Sequence, residues 1–274
     1  MNLNGLTTIN IELTSRCNKL CHICGRRLKD KELSSKNMNP VQYGDIEFSL
    51  LEIISFQVPN DLVIALHNNG EPLMYPFLKE AIELFKKRKC ITNLVTNGKL
   101  LIKKFDDIVD NLDTISISVF ENDVEQEDQY KIIEEFITKK GDRKPFTTLR
   151  LIGNISDEKY KKFGCLIIRR LLHSPKGSFD YISNQVKRQP TIPETGICQD
   201  FLHHLAIDRF GDVSCCVRFD PNKELVLGNI KNQTLVELWN CEKRLRMKEK
   251  HILGKRSQIE FCNKCEFYGI PTGE

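Results

Sequence analysis

The chain has 274 residues, a formal net charge of +4, 40% hydrophobic and 28% charged residues. At this length folding buries about three quarters of the extended surface, so a core forms without disulfide staples. The mixed, weakly basic charge without interleaved aromatics argues against nucleic acid. No apolar run approaches the roughly 18 residues of a membrane span, and the first ten residues lack the charged and apolar segments of a secretory signal, so a reducing cytoplasm is the expected compartment.

In chain order, short β-rich runs alternate with helical stretches. Residues 6–13 read as a strand leading into a cysteine-rich loop, and 45–56 as a helix with Asp45 near its start. Residues 61–67 form a buried strand, 76–89 an amphipathic helix, 91–98 a strand ending in a turn and 100–112 a helix. Residues 113–119 are a strand, 125–140 a helix and 145–153 a strand. A helix capped by Ser156 is expected over 156–172, then a weak sixth strand over 177–183. Strict β/α alternation predicts parallel strands with right-handed crossovers. The expected fold is α/β, a partial (β/α)6 TIM-like barrel, because a closed barrel needs eight units. Chemistry then belongs at the C-terminal ends of the strands, where the cysteine loop, "HNNGEP" and "TNG" all fall.

The pattern breaks at the polar, proline-bearing stretch 184–196, which reads as a linker. Beyond it, 203–217 predicts a hairpin, 234–250 one helix capped by Thr234, and the tail holds a CxxC. The expected domains are 1–187, the barrel, and 188–274, a small region with little apolar material that folds around a metal.

Eleven cysteines in a reducing compartment point to metal binding rather than disulfides. Cys17, Cys21 and Cys24 stand as CxxxCxxC. A closed zinc site wants four ligands, with His22 as a possible fourth; a three-thiolate loop also suits an iron–sulfur cluster with one iron left open. Arg26 and Arg27, just beyond, read as charges that steer a partner protein or an anionic substrate, or simply solvate the loop.

These residues resemble the radical S-adenosylmethionine (SAM) superfamily. The resemblance implies a [4Fe–4S] cluster on Cys17, Cys21 and Cys24, with SAM chelating the open iron and yielding a 5′-deoxyadenosyl radical. "NGEP" resembles the family's GGEP motif, with Asn69 for the first glycine, and implies that Gly70 and Glu71 face the SAM amino group. Asn97 of "TNG", Ser118 (or Ser116) and Arg150 resemble further SAM contacts. Ile23 departs from the aromatic usual before the third cysteine. Cys198, Cys216, Cys262 and Cys265 resemble the SPASM/Twitch extension. No cysteine follows Cys265, which points to the Twitch form with one auxiliary [4Fe–4S] cluster; a zinc site built on four cysteines has the same spacing.

A four-cysteine cluster has no open iron, so it suits electron transfer in a two-electron oxidation. The layout is similar to Twitch-type aminocyclitol dehydrogenases, which implies oxidation of a small polar substrate such as a sugar or cyclitol. A flavodoxin- or ferredoxin-type electron donor and neither nucleic acid nor membrane complete the expected partners. Because the first strand starts within about ten residues of Met1, no N-terminal peptide-recognition domain is expected. A peptide-modifying maturase and a sugar epimerase remain alternatives, and outside enzymes a metal-stabilised interaction protein. Candidate bases or hydrogen donors are Cys215, Glu121 and Tyr181, followed by Asp123, Asp180 and His67. Asn184, Gln185, Lys187 and Arg188 are candidates for holding substrate hydroxyls or phosphate.

Overall fold

The computed structural model describes residues 2–21, 24–39, 41–170, 198–218, 220, 222–263 and 265. Nine strands form one open sheet in the order β6-β5-β4-β3-β2-β1-β7-β8-β9. They are β1 (Thr8–Ile11), β2 (Val63–Ala65), β3 (Ile91–Thr96), β4 (Thr114–Phe120), β5 (Phe146–Ile152), β6 (Leu166–Arg170), β7 (His204–Ile207), β8 (Asp212–Ser214) and β9 (Val226–Asn229). Strands β1 to β6 pair in parallel, each with its sequence neighbour. The partial barrel expected from the alternation is therefore the fold.

Alternation along each strand sorts the two faces. Ile9, Ile11, Ile64, Leu66, Leu94, Ile115, Ile117, Leu149 and Leu151 point into one core under the helices. That core is covered by α2 (Phe48–Gln57), α3 (Leu78–Lys87), the short α4 (Phe105–Ile108) and α5 (Gln126–Lys140). The intervening residues, among them Asn10, Glu12, Ser116, Ser118 and Arg150, lie on the opposite, concave face.

The helix expected over 100–112 shrinks to α4, with turns on both sides of it, and three further expectations change. First, α1 (Gly25–Ser35) begins directly after the cysteine loop. Its residues are polar nearly all round, so no apolar period marks it; Glu32 pairs with Lys29 and Lys36 instead. Second, the helix expected over 156–172 is only α6 (Glu158–Lys161). Gly164, with φ +64°, ends that turn, and the β-branched Ile167 and Ile168 carry β6 alongside β5. Ser156 Oγ accepts from the Glu158 N–H at 3.4 Å, but the N-cap position is Asp157. The sixth strand is thus 166–170, and 177–183 lies outside the described residues, as does the boundary set at 187. Third, 234–250 is two helices, α8 (Leu235–Trp239) and α9 (Glu242–Ile252). At the break, Arg244 Nη1 donates to the Trp239 carbonyl at 3.1 Å and replaces a helical bond. Thr234 and Glu237 form the expected cap, a reciprocal capping box.

The C-terminal region, which also contains α7 (Gln199–His203), is joined to the barrel sheet. Strand β7 pairs in parallel with β1, and the expected hairpin β7–β8 extends from it. Trp239 Nε1 donates to the Asn4 carbonyl and the Leu235 N–H to Gln57 Oε1. A small apolar cluster of its own contains Phe201, Cys215, Leu225, Met247, Ile259 and Phe261.

Candidate functional site: two cysteine clusters

The loop after β1 is anchored at its root. Thr14 bridges Asp45, and Arg16 grips the same carboxylate with two nitrogens, at 2.9 and 2.5 Å. Cys21 and Cys24 close a tight turn through the Cys24 N–H and Cys21 carbonyl, 3.1 Å. Cys24 stands at the N-cap position of α1.

Two further loops pack against this one. Gly70 lies so close that a Cβ there would come within 1.9 Å of the Thr14 carbonyl oxygen and 2.8 Å of that of Arg16. No other residue fits without separating the loops. Glu71 is 2% exposed. One carboxylate oxygen accepts from the Leu73 N–H (3.1 Å) and the Thr96 hydroxyl (2.6 Å), the other from the Asn97 N–H (2.8 Å). Burial raises its pKa while these bonds oppose the rise. Both oxygens of Glu71 therefore brace the end of β3. Asn97 in turn donates through Nδ2 to Asn18 Oδ1 (2.9 Å) and to Cys17 Sγ (3.8 Å). The three motifs singled out in the sequence thus meet at one end of the parallel strands.

Ser118 and Arg150 sit side by side, paired in register on β4 and β5. At the end of β2, burial, with help from the Arg150 charge, pushes the His67 pKa down to about 3, so its imidazole is neutral.

Two contributors escape a sequence reading. Lys19, between the first two cysteines, is 3% exposed at its side chain and ion-paired with Asp123, itself 8% exposed. Glu125 lies 3.7 Å from the same ammonium, and Lys99 links Glu125 to the Asn18 carbonyl. The cysteine loop is thereby clasped to the β4–α5 connection. Arg26 does not solvate the loop. It is buried, donates to the Asn69 carbonyl at 2.6 Å and stacks on Tyr43 with 4.2 Å to the ring centroid. Asn69, in the first glycine's place, donates to the buried Glu12 at 2.8 Å. Asparagine at that place would have been the signal: it implies a partner for its amide.

The base candidates are mostly occupied. Asp123 serves Lys19. Glu121 accepts from the Asn154 N–H at 2.6 Å, against Gly153, where a Cβ would meet it at 2.3 Å. Cys215 is fully buried in the small apolar cluster, its thiol 3.5 Å from the Leu225 carbonyl and pushed up to about 12 by burial. Tyr181, Asp180, Asn184, Gln185, Lys187, Arg188, Ile23 and His22 lie outside the described residues.

The second cluster is assembled from distant segments. Cys198 precedes α7, Cys216 follows β8, and Cys262 and Cys265 follow the 3-10 turn Arg256–Gln258. All four line one cavity of about 20 Å³, which Asp200, Arg218, His251 and Arg256 also border. Burial raises each of the Cys198, Cys216 and Cys262 thiols, Cys262 to about 12, and Cys198 adds to the rise at the other two. Cys215, the neighbour of Cys216, points into apolar packing instead. Burial likewise raises Cys17 and pushes Cys21 up to about 12, with neighbouring thiols adding to both. A cationic metal core among such thiols would reverse that preference by stabilising thiolates. Among the described residues no three His, Cys, Asp or Glu side chains close on a single metal ion. The donor sets fit iron–sulfur groups: soft, clustered thiols at both sites.

Comparison with known proteins agrees. Residues 198–266 match the SPASM family, an iron–sulfur cluster-binding domain. Among solved structures, BtrN in complex with AdoMet and 2-DOIA superposes with TM-score 0.63 at 17% identity, covering 95% of this chain and 92% of BtrN. His-tagged anSMEcpe with bound AdoMet gives 0.66 at 16%, over 95% and 85% of the two chains. SuiB of Streptococcus suis bound to S-adenosylmethionine gives 0.66 at 14%, over 98% and 77%; SuiB has also been solved with its precursor peptide SuiA. No curated protein matches the chain. No described helix is long and apolar enough to cross a membrane.

Proposed function

We propose that this chain is a radical SAM enzyme, its C-terminal residues 198–266 matching the SPASM iron–sulfur domain, and that it oxidises a small polar alcohol, a sugar or cyclitol, to the ketone. One [4Fe–4S] cluster would supply the electron that cleaves SAM, and one auxiliary cluster of the Twitch form would accept the electron that leaves the substrate. Cys17, Cys21 and Cys24 hold the first; Cys198, Cys216, Cys262 and Cys265 hold the second. The substrate gives up one hydrogen atom, one proton and one electron, which together amount to the two-electron oxidation.

The observation that carries this reading is the junction at Asn97. Its backbone meets Glu71 and its side chain meets Cys17, so the third strand, the "NGEP" loop and the cysteine loop are tied together in one preorganised junction. Gly70 permits the close approach, and Glu71 holds the turn. On the concave face Ser118 and Arg150 offer a hydroxyl and a guanidinium, and neutral His67 lies nearby. Such groups suit hydroxyl-rich ligands better than an apolar one. BtrN, solved with 2-DOIA, supports a small-molecule substrate; SuiB, solved with SuiA, supports a peptide. The enzyme would work in a reducing cytoplasm with a flavodoxin- or ferredoxin-type donor.

The test is anaerobic incubation of the reconstituted protein with SAM, dithionite and a panel of cyclitols, sugars and cysteine-rich peptides. A stoichiometric ketone and 5′-deoxyadenosine with one alcohol supports the reading. Solvent-derived hydrogen at an inverted carbon would make it an epimerase, and a modified peptide a maturase.

A further inference from the structure

The cysteine cavity has a guanidinium that the chemistry above does not use. Arg256 is 3% exposed and borders the cavity with all four cysteines. Its Nη1 donates to the Cys265 carbonyl at 2.8 Å and also to the Cys262 carbonyl. Those two carbonyls are the ends of the CxxC turn, which is itself closed by the Cys265 N–H on the Cys262 carbonyl at 3.2 Å. One side-chain nitrogen therefore fixes both ends of the turn that must present two sulfurs to one centre.

Charge supports the same role. Four thiolates outweigh a dipositive core, so a loaded centre is a buried anion, and buried charge needs compensation. Of the other cavity groups, Arg218 has its guanidinium on Asp200 at 2.7 Å, and its backbone N–H donates to Cys216 Sγ at 3.4 Å.

We propose that Arg256 is a positioning residue of the C-terminal metal centre: it pins the CxxC turn through both cysteine carbonyls and places positive charge beside the anionic cluster. This rests on the iron–sulfur reading of Cys198, Cys216, Cys262 and Cys265.

The test uses the full chain with Cys17, Cys21 and Cys24 replaced by alanine, so that only the second centre is observed. Iron, acid-labile sulfide, the dithionite-reduced EPR signal and its midpoint potential are measured for this parent and for Arg256→Gln and Arg256→Lys. Arg256→Gln should bind iron at least fivefold less tightly, and any residual signal should titrate at a more negative potential. Arg256→Lys, which keeps the charge and can still donate to carbonyls, should retain most of the iron. The proposal is overturned if Arg256→Gln matches the parent in iron and potential. It is also overturned if both variants lose iron together with cooperative melting of the apoprotein, since that is a general structural role. A parent that binds no iron would instead contradict the cluster reading itself.

Discussion

The two cysteine clusters solve the same ligand problem in opposite ways. The first takes its thiols from eight consecutive positions and its walls from the ends of β2, β3 and β4. The second takes thiols from three separated segments and closes them into a cavity of about 20 Å³. The first loop depends on tertiary clamps, Gly70, Lys19 and Asn97, because three thiols in a short loop leave one side to be filled by something else. The second supplies four thiols of its own, packed against a small apolar core, with Arg256 on the carbonyls of its CxxC turn. An open site suits cofactor chemistry; a closed one suits structure or electron transfer.

That contrast can be broken experimentally. The largest effect expected is from replacing Cys17, Cys21 and Cys24 by alanine: 5′-deoxyadenosine formation should vanish while the iron bound at the C-terminal cysteines remains. Loss of all iron would mean that the two sites do not load independently.

Lys19→Met comes next. It strands a buried Asp123 carboxylate, and breaking a buried pair costs about 3–5 kcal/mol. Chemical denaturation should show that loss, and iron retention at the first site should fall with it. The double variant Lys19→Met/Asp123→Leu should recover most of the stability. If it does not, the clasp is more than an ion pair.

Gly70→Ala forces apart two backbones that a Cβ would approach to 1.9 Å. Overpacking of this kind costs about 1–3 kcal/mol, and SAM cleavage should drop more than stability does, because the displaced loops carry the first cysteines and Glu71. Wild-type SAM cleavage in this variant would remove Gly70 from the site.

The smallest expected effect lies in the C-terminal region. Thr234→Ala removes a capping box and should cost about 1 kcal/mol, read in thermal melts, with iron content unchanged at both sites.

What the sequence made legible follows the same division. β1, β4 and β5 are readable because alternating Ile, Leu and Val mark one buried face, β2 and β3 because short β-rich runs end in turn signals, and the cysteine loop because its spacing is local. The C-terminal convergence was accessible only through a resemblance, since spacing alone cannot say that Cys198 meets Cys265. α1 was hidden because its helix is held by charge pairs rather than an apolar stripe. The run 156–172 misled because its Ile and Leu residues suit a helix face and a strand equally, and Gly164 settles the matter in favour of a turn. Lys19 and Arg26 were invisible as clamps, because a basic residue in a loop ordinarily faces water; only the positions of Asp123 and Asn69 show otherwise.

The central claim is that the chain holds two iron–sulfur clusters of different openness. Anaerobic reconstitution followed by iron and sulfide analysis tests it most directly. The account predicts about eight of each per chain, as two cubanes require, falling by half when Cys17, Cys21 and Cys24 are replaced. Zinc without sulfide would contradict it.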